Sequence, residues 1–506
     1  MEISSIAAIV FTVILAVIPI WAWKKVNALW LRPKRLEKLL RSQGLQGDSY
    51  KLFGYNNQSH MNMQQQPKSI GLTNQVAPYF FFPVHQTVNK YGKHSFLWDG
   101  RTTKVIITDP KQIKEIFNKM DDFTKPELGP IGKLLGTGLP FYEGQKWANH
   151  RKIINPAFHL EKLKDMIPAF FQSCHDMISK LEEMLLSSDG TCEIDVFPFL
   201  ENMTRDAISR TAFGSSYEEG TRVFELLKMM GYLLMNRHIS RSWFQPTTTK
   251  TNKMKEIERD MHTSLEAIIK KRERAMKNGE APNNDLLDIL LKSNHNEKNG
   301  MTNQEVIEEC RLFYLAGQET TSVLLVWTMV LLGKFPEWQE RAREEVFRVF
   351  GTQNPNFDGL NHLKIASMIL YEVLRLFPPT IYFDRVVKKD VKLGNLTLSK
   401  GMKVSIPILL IHHDHDLWGD DAKEFKPERF SEGIAKATKG QVSFFPFGWG
   451  PRICIGQNFT LLEAKVMLSL LLRKFSFQLS PTYLHDPTVM QTLKPKHGVP
   501  IILHKL

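Results

Sequence analysis

The chain has 506 residues, 42% of them hydrophobic and 24% charged, with a formal net charge of +13. This is ordinary globular composition with ample material for a core, and length alone allows about three domains. Its four cysteines (Cys174, Cys192, Cys310, Cys454) show no CxxC and no zinc spacing, which excludes a disulfide framework and favours a reducing compartment. The basic surplus suits an acidic protein partner, an anionic membrane surface or nucleic acid.

From Ile3 to Trp23 the chain is uncharged and apolar apart from Ser4, Ser5 and Thr12. About 20 such residues span a bilayer core as a helix. Trp21, Trp23 and Trp30 stand where an aromatic belt would lie, and Lys24, Lys25, Arg32, Lys34, Arg35 and Lys38 follow, with only Glu2 ahead. The positive-inside rule then puts the N-terminus in the lumen and the rest in the cytosol. A cleaved signal peptide would carry its positive charges before a shorter apolar region. The expected division is an anchor over 1–25, a basic membrane-proximal linker with a short helix over 26–55, and a body over 56–506.

Lys34 to Leu40 reads as the linker's short basic helix at the membrane surface, and Asn56 to Ser69, where the body begins, as a polar loop. A helix is expected from Phe80 to about Tyr91, a strand at Val105–Thr108, and a further helix opened by Pro110. Phe123 to Pro140 is rich in glycine and proline and reads as a long loop. Leu160–Leu186, Val196–Ala212 and the charged Lys253–Lys277 show helical spacing. Met229–Gln245 is apolar and Met-rich; it suits either core packing or a membrane-facing lip over an entrance. Thr302 with Glu305 forms a capping box. The helix it opens reaches about Lys334 and is apolar on both faces of its middle, so it belongs at the centre of the molecule. Val386–Val391 and Leu396–Pro407 read as short strands, and Pro427–Gly450 has little regular structure. The fold class is therefore mainly α with small β-sheets. No P-loop and no GxGxxG after a strand is present.

Four patterns carry chemistry. Inside the long central helix, Ala316-Gly317-Gln318-Glu319-Thr320 puts a glycine beside an acid and an alcohol. A mid-helix glycine with a threonine that diverts a backbone carbonyl opens a local groove, and an acid next to an alcohol suits proton delivery. Glu372 and Arg375 lie three apart on one helix face, and Arg429 follows in Pro427-Glu428-Arg429-Phe430. Trp147 and Arg151 lie one turn apart. Finally, Phe447-x-x-Gly450-x-Arg452-x-Cys454-x-Gly456 sets a cysteine in a glycine-rich loop at the mouth of an apolar helix. A thiolate there, with backbone N–H groups close by, suits a soft axial metal ligand. His412-His413-Asp414-His415-Asp416 suggests a metal, but no closed ligand shell accompanies it, and a structural role fits better.

Taken along the chain from Trp147 and Arg151 through Ala316–Thr320, Glu372 with Arg375, and Pro427–Phe430 to the Cys454 loop, these motifs resemble the cytochrome P450 superfamily of the microsomal plant type. The stretch Leu29–Leu36 through Gly54 is similar to the plant seventy-two family, with its secologanin synthase and triterpenoid oxidase relatives. One departure is that a single Pro33 stands where a Pro-Gly-Pro run is usual. The resemblance covers nearly the whole chain and implies one large haem domain behind an N-terminal transmembrane helix. It makes Cys454 the axial ligand of haem b, the site's metal contact, in a loop with Phe447 and Gly456. Trp147, Arg151, Arg452 and Arg385 would reach the propionates. In the groove that begins at Ala316, Gly317 would make room for dioxygen, Thr320 would hydrogen-bond it once bound, and Glu319 would relay protons. Glu372, Arg375 and Arg429 would lock the cysteine loop.

The activity implied is insertion of one oxygen atom from O2 into a C–H bond, the haem supplying the hard chemistry. The chain has no flavin or nicotinamide fold, so electrons must come from NADPH through a membrane-bound NADPH–cytochrome P450 reductase. Lys146, Lys152 and Arg452 are candidates to guide its acidic surface. The place implied is the endoplasmic reticulum membrane, with the body in the cytosol and no nucleic-acid partner. Leu134–Leu139, Met229–Met235, Leu312, Ala316, Thr380–Phe383 and Met490–Leu493 would line an apolar pocket, pointing to a bulky apolar substrate such as a terpenoid or triterpenoid. Two alternatives are a haem-thiolate isomerase or dehydratase that uses no dioxygen, and a non-catalytic haem sensor. Glu319 and Thr320 argue against both.

Overall fold

The computed structural model describes residues 17–52, 82–129, 132–188, 190–214, 217–239, 247–280, 284–294, 300–489 and 491–506. Most of the expected anchor, residues 3–16, and the polar stretch Asn56–Ser69 lie outside them, as do residues 240–246 and Met490. The described chain gathers into two units, one within 17–52, 82–126 and 382–410, the other within 127–381 and 411–506.

In the first unit a helix over 17–26 passes through a π-helical turn, Asn27–Leu31, into the helix Arg32–Ser42, which carries Pro33 in its first turn. Ile18, Ile20, Trp21 and Trp23 are 56–64% exposed, an apolar rod without protein around it, compatible with a membrane anchor. Farther on, Leu36 and Leu40 turn inward, and buried Glu37 accepts from Lys34 Nζ (3.0 Å), Arg41 Nε (3.1 Å) and the Tyr50 N–H (3.2 Å). Helix Pro110–Asn118 starts where Pro110 predicts, with Asp109 accepting from the Lys111 N–H as its cap. A five-stranded sheet follows in the order Phe96–Asp99, Thr102–Ile106, Lys403–Ile406, Phe383–Val387, Phe123–Thr124. Its one parallel pairing sets Val105 against Val404. The two strands read between Val386 and Pro407 are each divided. Val391–Leu393 pairs instead with Leu396–Leu398 around Gly394, and Gly401 turns the chain back into Lys403–Ile406. The first breaks at residues 388–390, beyond Phe383–Val387, while Gly401 (φ +84°) divides the second and Gly394 (φ +56°) turns the chain between the two, in conformations other residues rarely adopt.

The second unit is mainly helical. Leu160–Leu186, Phe197–Phe213 and Thr247–Lys277 lie close to where their periodicity places them. Met229 and Tyr232 are exposed on the helix Tyr217–Ile239 while Met230 is buried, so the Met-rich stretch is amphipathic through its described part. The central helix Asn303–Lys334 begins at the Thr302–Glu305 capping box. It is long and apolar enough to cross a membrane, yet 72% of its most apolar window is buried, and Val323 to Leu332 are at most 1% exposed. It is a core helix, held among Phe197–Phe213, Pro336–Phe350, Lys364–Leu376 and Gln457–Lys474. Trp327 stacks on Phe377 at 4.2 Å and donates its Nε1–H to the Leu493 carbonyl at 2.7 Å. That bond fastens the hairpin of strands Pro487–Val489 and Leu493–Pro495 to the core. A three-stranded sheet places Pro500–Lys505 between Thr191–Asp195 and Phe475–Leu479.

Candidate active site

The cysteine loop is shaped by its glycines. Gly448 and Gly450 adopt φ of +76° and +70°, folding the chain so that the Cys454 N–H donates to the Phe447 carbonyl at 2.8 Å. Phe447 thus acts through its backbone. Phe444, Phe445 and Phe459 are buried beneath the loop, while Cys454 itself is exposed. Gly456 precedes the helix Gln457–Lys474, and a Cβ there would stand 3.9 Å from the Cys454 sulfur. Arg151 donates from Nη1 to the Ile453 carbonyl at 2.8 Å, next to the cysteine. Arg452 lies over the Trp147 ring at 4.6 Å and donates from Nη2 to Glu143 Oε2 (2.7 Å) and to the Tyr142 carbonyl (2.8 Å). Arg452 of the loop itself and Arg151 and Trp147 of the helix Gly144–Ile154 therefore lie together beside the cysteine. The Arg452 side chain is only 6% exposed and faces inward, which removes it from the expected reductase-facing surface. Lys146 is engaged too, with Glu305 at 2.6 Å and over the Tyr142 ring at 4.1 Å. Burial opposes charge on Glu305, but hydrogen bonds from Lys146 and Thr302 hold its pKa at about 2.

Behind the loop lies a buried ionic cluster. Glu372 and Arg375 are both 0% exposed and meet in a bidentate pair, Nε and Nη2 to the two carboxylate oxygens at 2.7 Å each. Arg375 also donates to the carbonyls of His412 (2.7 Å), Glu424 (3.1 Å) and Ala422. Arg429 Nε reaches Glu372 at 3.4 Å, and its Nη2 pairs with Asp421 Oδ1 at 2.7 Å. Five guanidinium nitrogens of Arg375 and Arg429 thus share two carboxylates and three carbonyls in a largely dry setting, where satisfied networks are rigid and broken ones costly. Next to it, the His412 ring accepts the Phe445 N–H at 3.2 Å while its carbonyl accepts from Arg375, joining cluster to loop through one residue. Burial, then the charge of Arg375, drives the His412 pKa far down. His413 turns instead to the Leu376 carbonyl at 3.0 Å, and His415 is exposed against Asp416. Among the described residues no group of three or more His, Cys, Asp or Glu is arranged to hold a metal.

On the central helix the Thr320 hydroxyl donates to the Ala316 carbonyl at 2.7 Å, within an unbroken run of α-helix. Gly317 serves a different neighbour from the one its motif suggests. A Cβ on it would stand 2.7 Å from Cδ1 and Cγ1 of Ile208 on helix Phe197–Phe213. The space along that vector is filled by helix packing, so room for a small ligand there is not what this glycine provides. Glu319 is not a solvated surface acid either. Its Oε1 accepts from the Thr492 hydroxyl at 2.7 Å and from Lys494 Nζ at 3.0 Å. Neither partner was signalled by the sequence, nor were Glu143 for Arg452 and Glu309 for His150 (2.7 Å), because each comes from a distant segment. Arg385 belongs to the other unit, 7% exposed on strand Phe383–Val387, donating to the Asp384 carbonyl at 2.8 Å beside the rings of Phe117 and Phe383.

An outward-facing soft donor on a rigid loop, with Arg151, Arg452 and Trp147 beside it, fits a planar iron cofactor that carries carboxylates. The cytochrome P450 family model matches residues 71–500. An 11-oxo-beta-amyrin 30-oxidase of Glycyrrhiza uralensis is 66% identical over 514 aligned positions, covering 98% of each chain. An 11-oxo-beta-amyrin 30-oxidase of Medicago truncatula is 65% identical, covering 98% of this chain and 97% of its own. Cytochrome P450 72A13 of Arabidopsis thaliana is 50% identical over the full length of both. A match over most of the chain, with relatives at this identity named as oxidases, leaves no room for the isomerase or sensor readings: the chain belongs to the cytochrome P450 family and is a haem-dependent monooxygenase related to the plant seventy-two group.

Proposed function

We propose that this enzyme oxidises a bulky apolar triterpenoid of the 11-oxo-beta-amyrin kind at an unactivated carbon. The observation that supports this is identity of 66% and 65% over 98% of the chain to two enzymes named for that substrate. Bound haem activates dioxygen with electrons from NADPH delivered by a cytochrome P450 reductase. Cys454 holds the iron, its loop shaped by Phe447, Gly450 and Gly456, while Trp147, Arg151, Arg452 and Arg385 secure the propionates. Glu372, Arg375 and Arg429 keep the loop rigid. Thr320 orients the oxygen through its hydroxyl, with Ala316 and Gly317 shaping that part of the helix, and Glu319 relays protons from its carboxylate. Residues 1–25 anchor the chain in the endoplasmic reticulum membrane, 26–55 form the membrane-proximal linker and helix, and 56–506 form the catalytic domain in the cytosol. The exposed tryptophans of the N-terminal helix support that arrangement.

Microsomes containing the enzyme and a plant reductase, fed 11-oxo-beta-amyrin, test the reading. NADPH-dependent formation of a product heavier by one oxygen is expected, and Cys454→Ser abolishes both the product and the haem-thiolate carbonyl spectrum. No product from 11-oxo-beta-amyrin or beta-amyrin, beside an intact carbonyl spectrum, overturns the substrate; a retained thiolate spectrum in Cys454→Ser overturns the ligand.

A further inference from the structure

The central helix presents Glu319, but the C-terminal hairpin decides where its carboxylate sits. Thr492 and Lys494 both bond Oε1, at 2.7 and 3.0 Å. The side chains of Glu319 and Lys494 are 12% and 18% exposed, and Thr492 is 4% exposed, so these bonds lie largely out of water. Shielding of this kind makes a charged hydrogen bond stronger than a surface pair and makes its loss more costly. The hairpin is itself fixed. Leu493, between the two partners, is 0% exposed; its N–H donates to the Pro379 carbonyl at 3.0 Å, and its carbonyl takes the Trp327 bond. One residue before Thr492, the Gln491 amide lies 2.8 Å from where a Cβ on Gly231 would stand, against bare backbone of helix Tyr217–Ile239. The turn that reaches that helix therefore continues directly into the residues that hold the acid.

We infer that Thr492 and Lys494 are positioning residues for the Glu319 carboxylate, so that the C-terminal hairpin sets how protons reach the oxygen-activation site. The inference rests on the reading of Glu319 as proton relay. Without its two partners the carboxylate keeps its place on the helix but loses the bonds that fix its rotamer. Protons then arrive late, and reduced oxygen leaves as hydrogen peroxide instead of entering the product.

The test uses the full chain in microsomes with reductase and 11-oxo-beta-amyrin as probe. For Lys494→Met, the hydrogen peroxide released per NADPH rises about threefold and the solvent deuterium isotope effect on product formation grows, while the spectral Kd of the probe stays within about twofold. Lys494→Arg restores both readouts, and Thr492→Val shifts them in the same direction. A second readout needs no turnover: in a double-mutant cycle of Glu319→Gln with Lys494→Met, unfolding equilibrium constants depart from additivity by about fivefold. If Glu319→Gln leaves peroxide release and isotope effect unchanged, the relay reading fails. If Glu319→Gln shifts both while Lys494→Met and Thr492→Val match the wild type, or if the cycle is additive, the positioning role is overturned and the relay stands.

Discussion

Gly317→Ala tests how the central helix is seated. The added methyl would stand 2.7 Å from two carbons of Ile208 and 3.3 Å from a third. Carbon atoms settle about 3.5–4.0 Å apart, so roughly 1 Å of overlap must be relieved. Ile208 is 1% exposed and has no open space to turn into, which leaves separation of the two helices as the response. Overpacking of this kind costs about 1–3 kcal/mol, and two close contacts at once place this site near the upper figure. Alanine returns about 1 kcal/mol over glycine in a helix interior. The expected result is a net loss of about 2 kcal/mol, read as a lower urea midpoint at unchanged slope. Ile208→Ala deletes the two nearest carbons, so the double variant should be less destabilised than the sum of the singles by about 1 kcal/mol or more. A stabilised Gly317→Ala would refute this reasoning, because it would mean that helix propensity alone acts and that the glycine is present for another purpose.

Removing Arg375 leaves Glu372 fully buried without its bidentate partner, so Arg375→Met should cost about 3–5 kcal/mol and sharply reduce the amount of protein with an intact thiolate carbonyl spectrum. Wild-type yield and spectrum would show that Arg429 and the surrounding amides suffice. Glu463 is 0% exposed, and neither carboxyl oxygen has a hydrogen-bond partner among the described residues; burial raises its pKa well above 4.5. The unfolded chain ionises this group above about 4.5 and the folded chain does not, so its contribution to stability falls as pH rises from there. Glu463→Gln should therefore raise the urea midpoint at pH about 7.5 but not at pH about 4, and an equal effect at both would exclude titration as the cause. Burial and then Arg375 hold His413 at about 3 against 6.5 unfolded, so it stays neutral in the fold while the unfolded chain takes up a proton. Stability then falls as pH drops from 6.5 toward 3, by up to about 1.4 kcal/mol per pH unit, and His413→Asn should flatten that slope in acid titrations of the urea midpoint.

Local order along the chain was the legible part. A 3.6-residue period over 27 residues at Leu160–Leu186 leaves little choice of element, and the Thr302–Glu305 box marks the start of the central helix from four residues alone. The cysteine loop was readable for the same reason, since the glycines, the arginine and the thiol are neighbours in the chain. The strands between Val386 and Pro407 were harder. The first is interrupted at the polar residues Lys388, Lys389 and Asp390, and the second is divided by the positive φ of Gly401. Gly317 was legible as a special position but misleading as to why, because its constraint comes from Ile208 on another helix.

The partners of the charged site residues could not be read at all, and the reason is physical. A helix period constrains residues three and four apart, whereas an ion pair needs only two side chains brought together by the finished fold. Glu319 finds Thr492 and Lys494 at separations of 173 and 175 residues, and Arg452 finds Glu143 at 309. These long-range bonds distinguish a merely acidic residue on a helix from one whose carboxylate has a fixed address. With Cys454 as the proposed haem ligand, its loop would account for the class of reaction, because the haem brings that chemistry to any chain that can ligate it. On the inference drawn from Glu319, Thr492 and Lys494, how tightly electrons and protons are matched depends instead on such distant contacts. The hairpin ending at Pro495 should therefore alter the coupling of NADPH use to product without altering the loop that holds the iron.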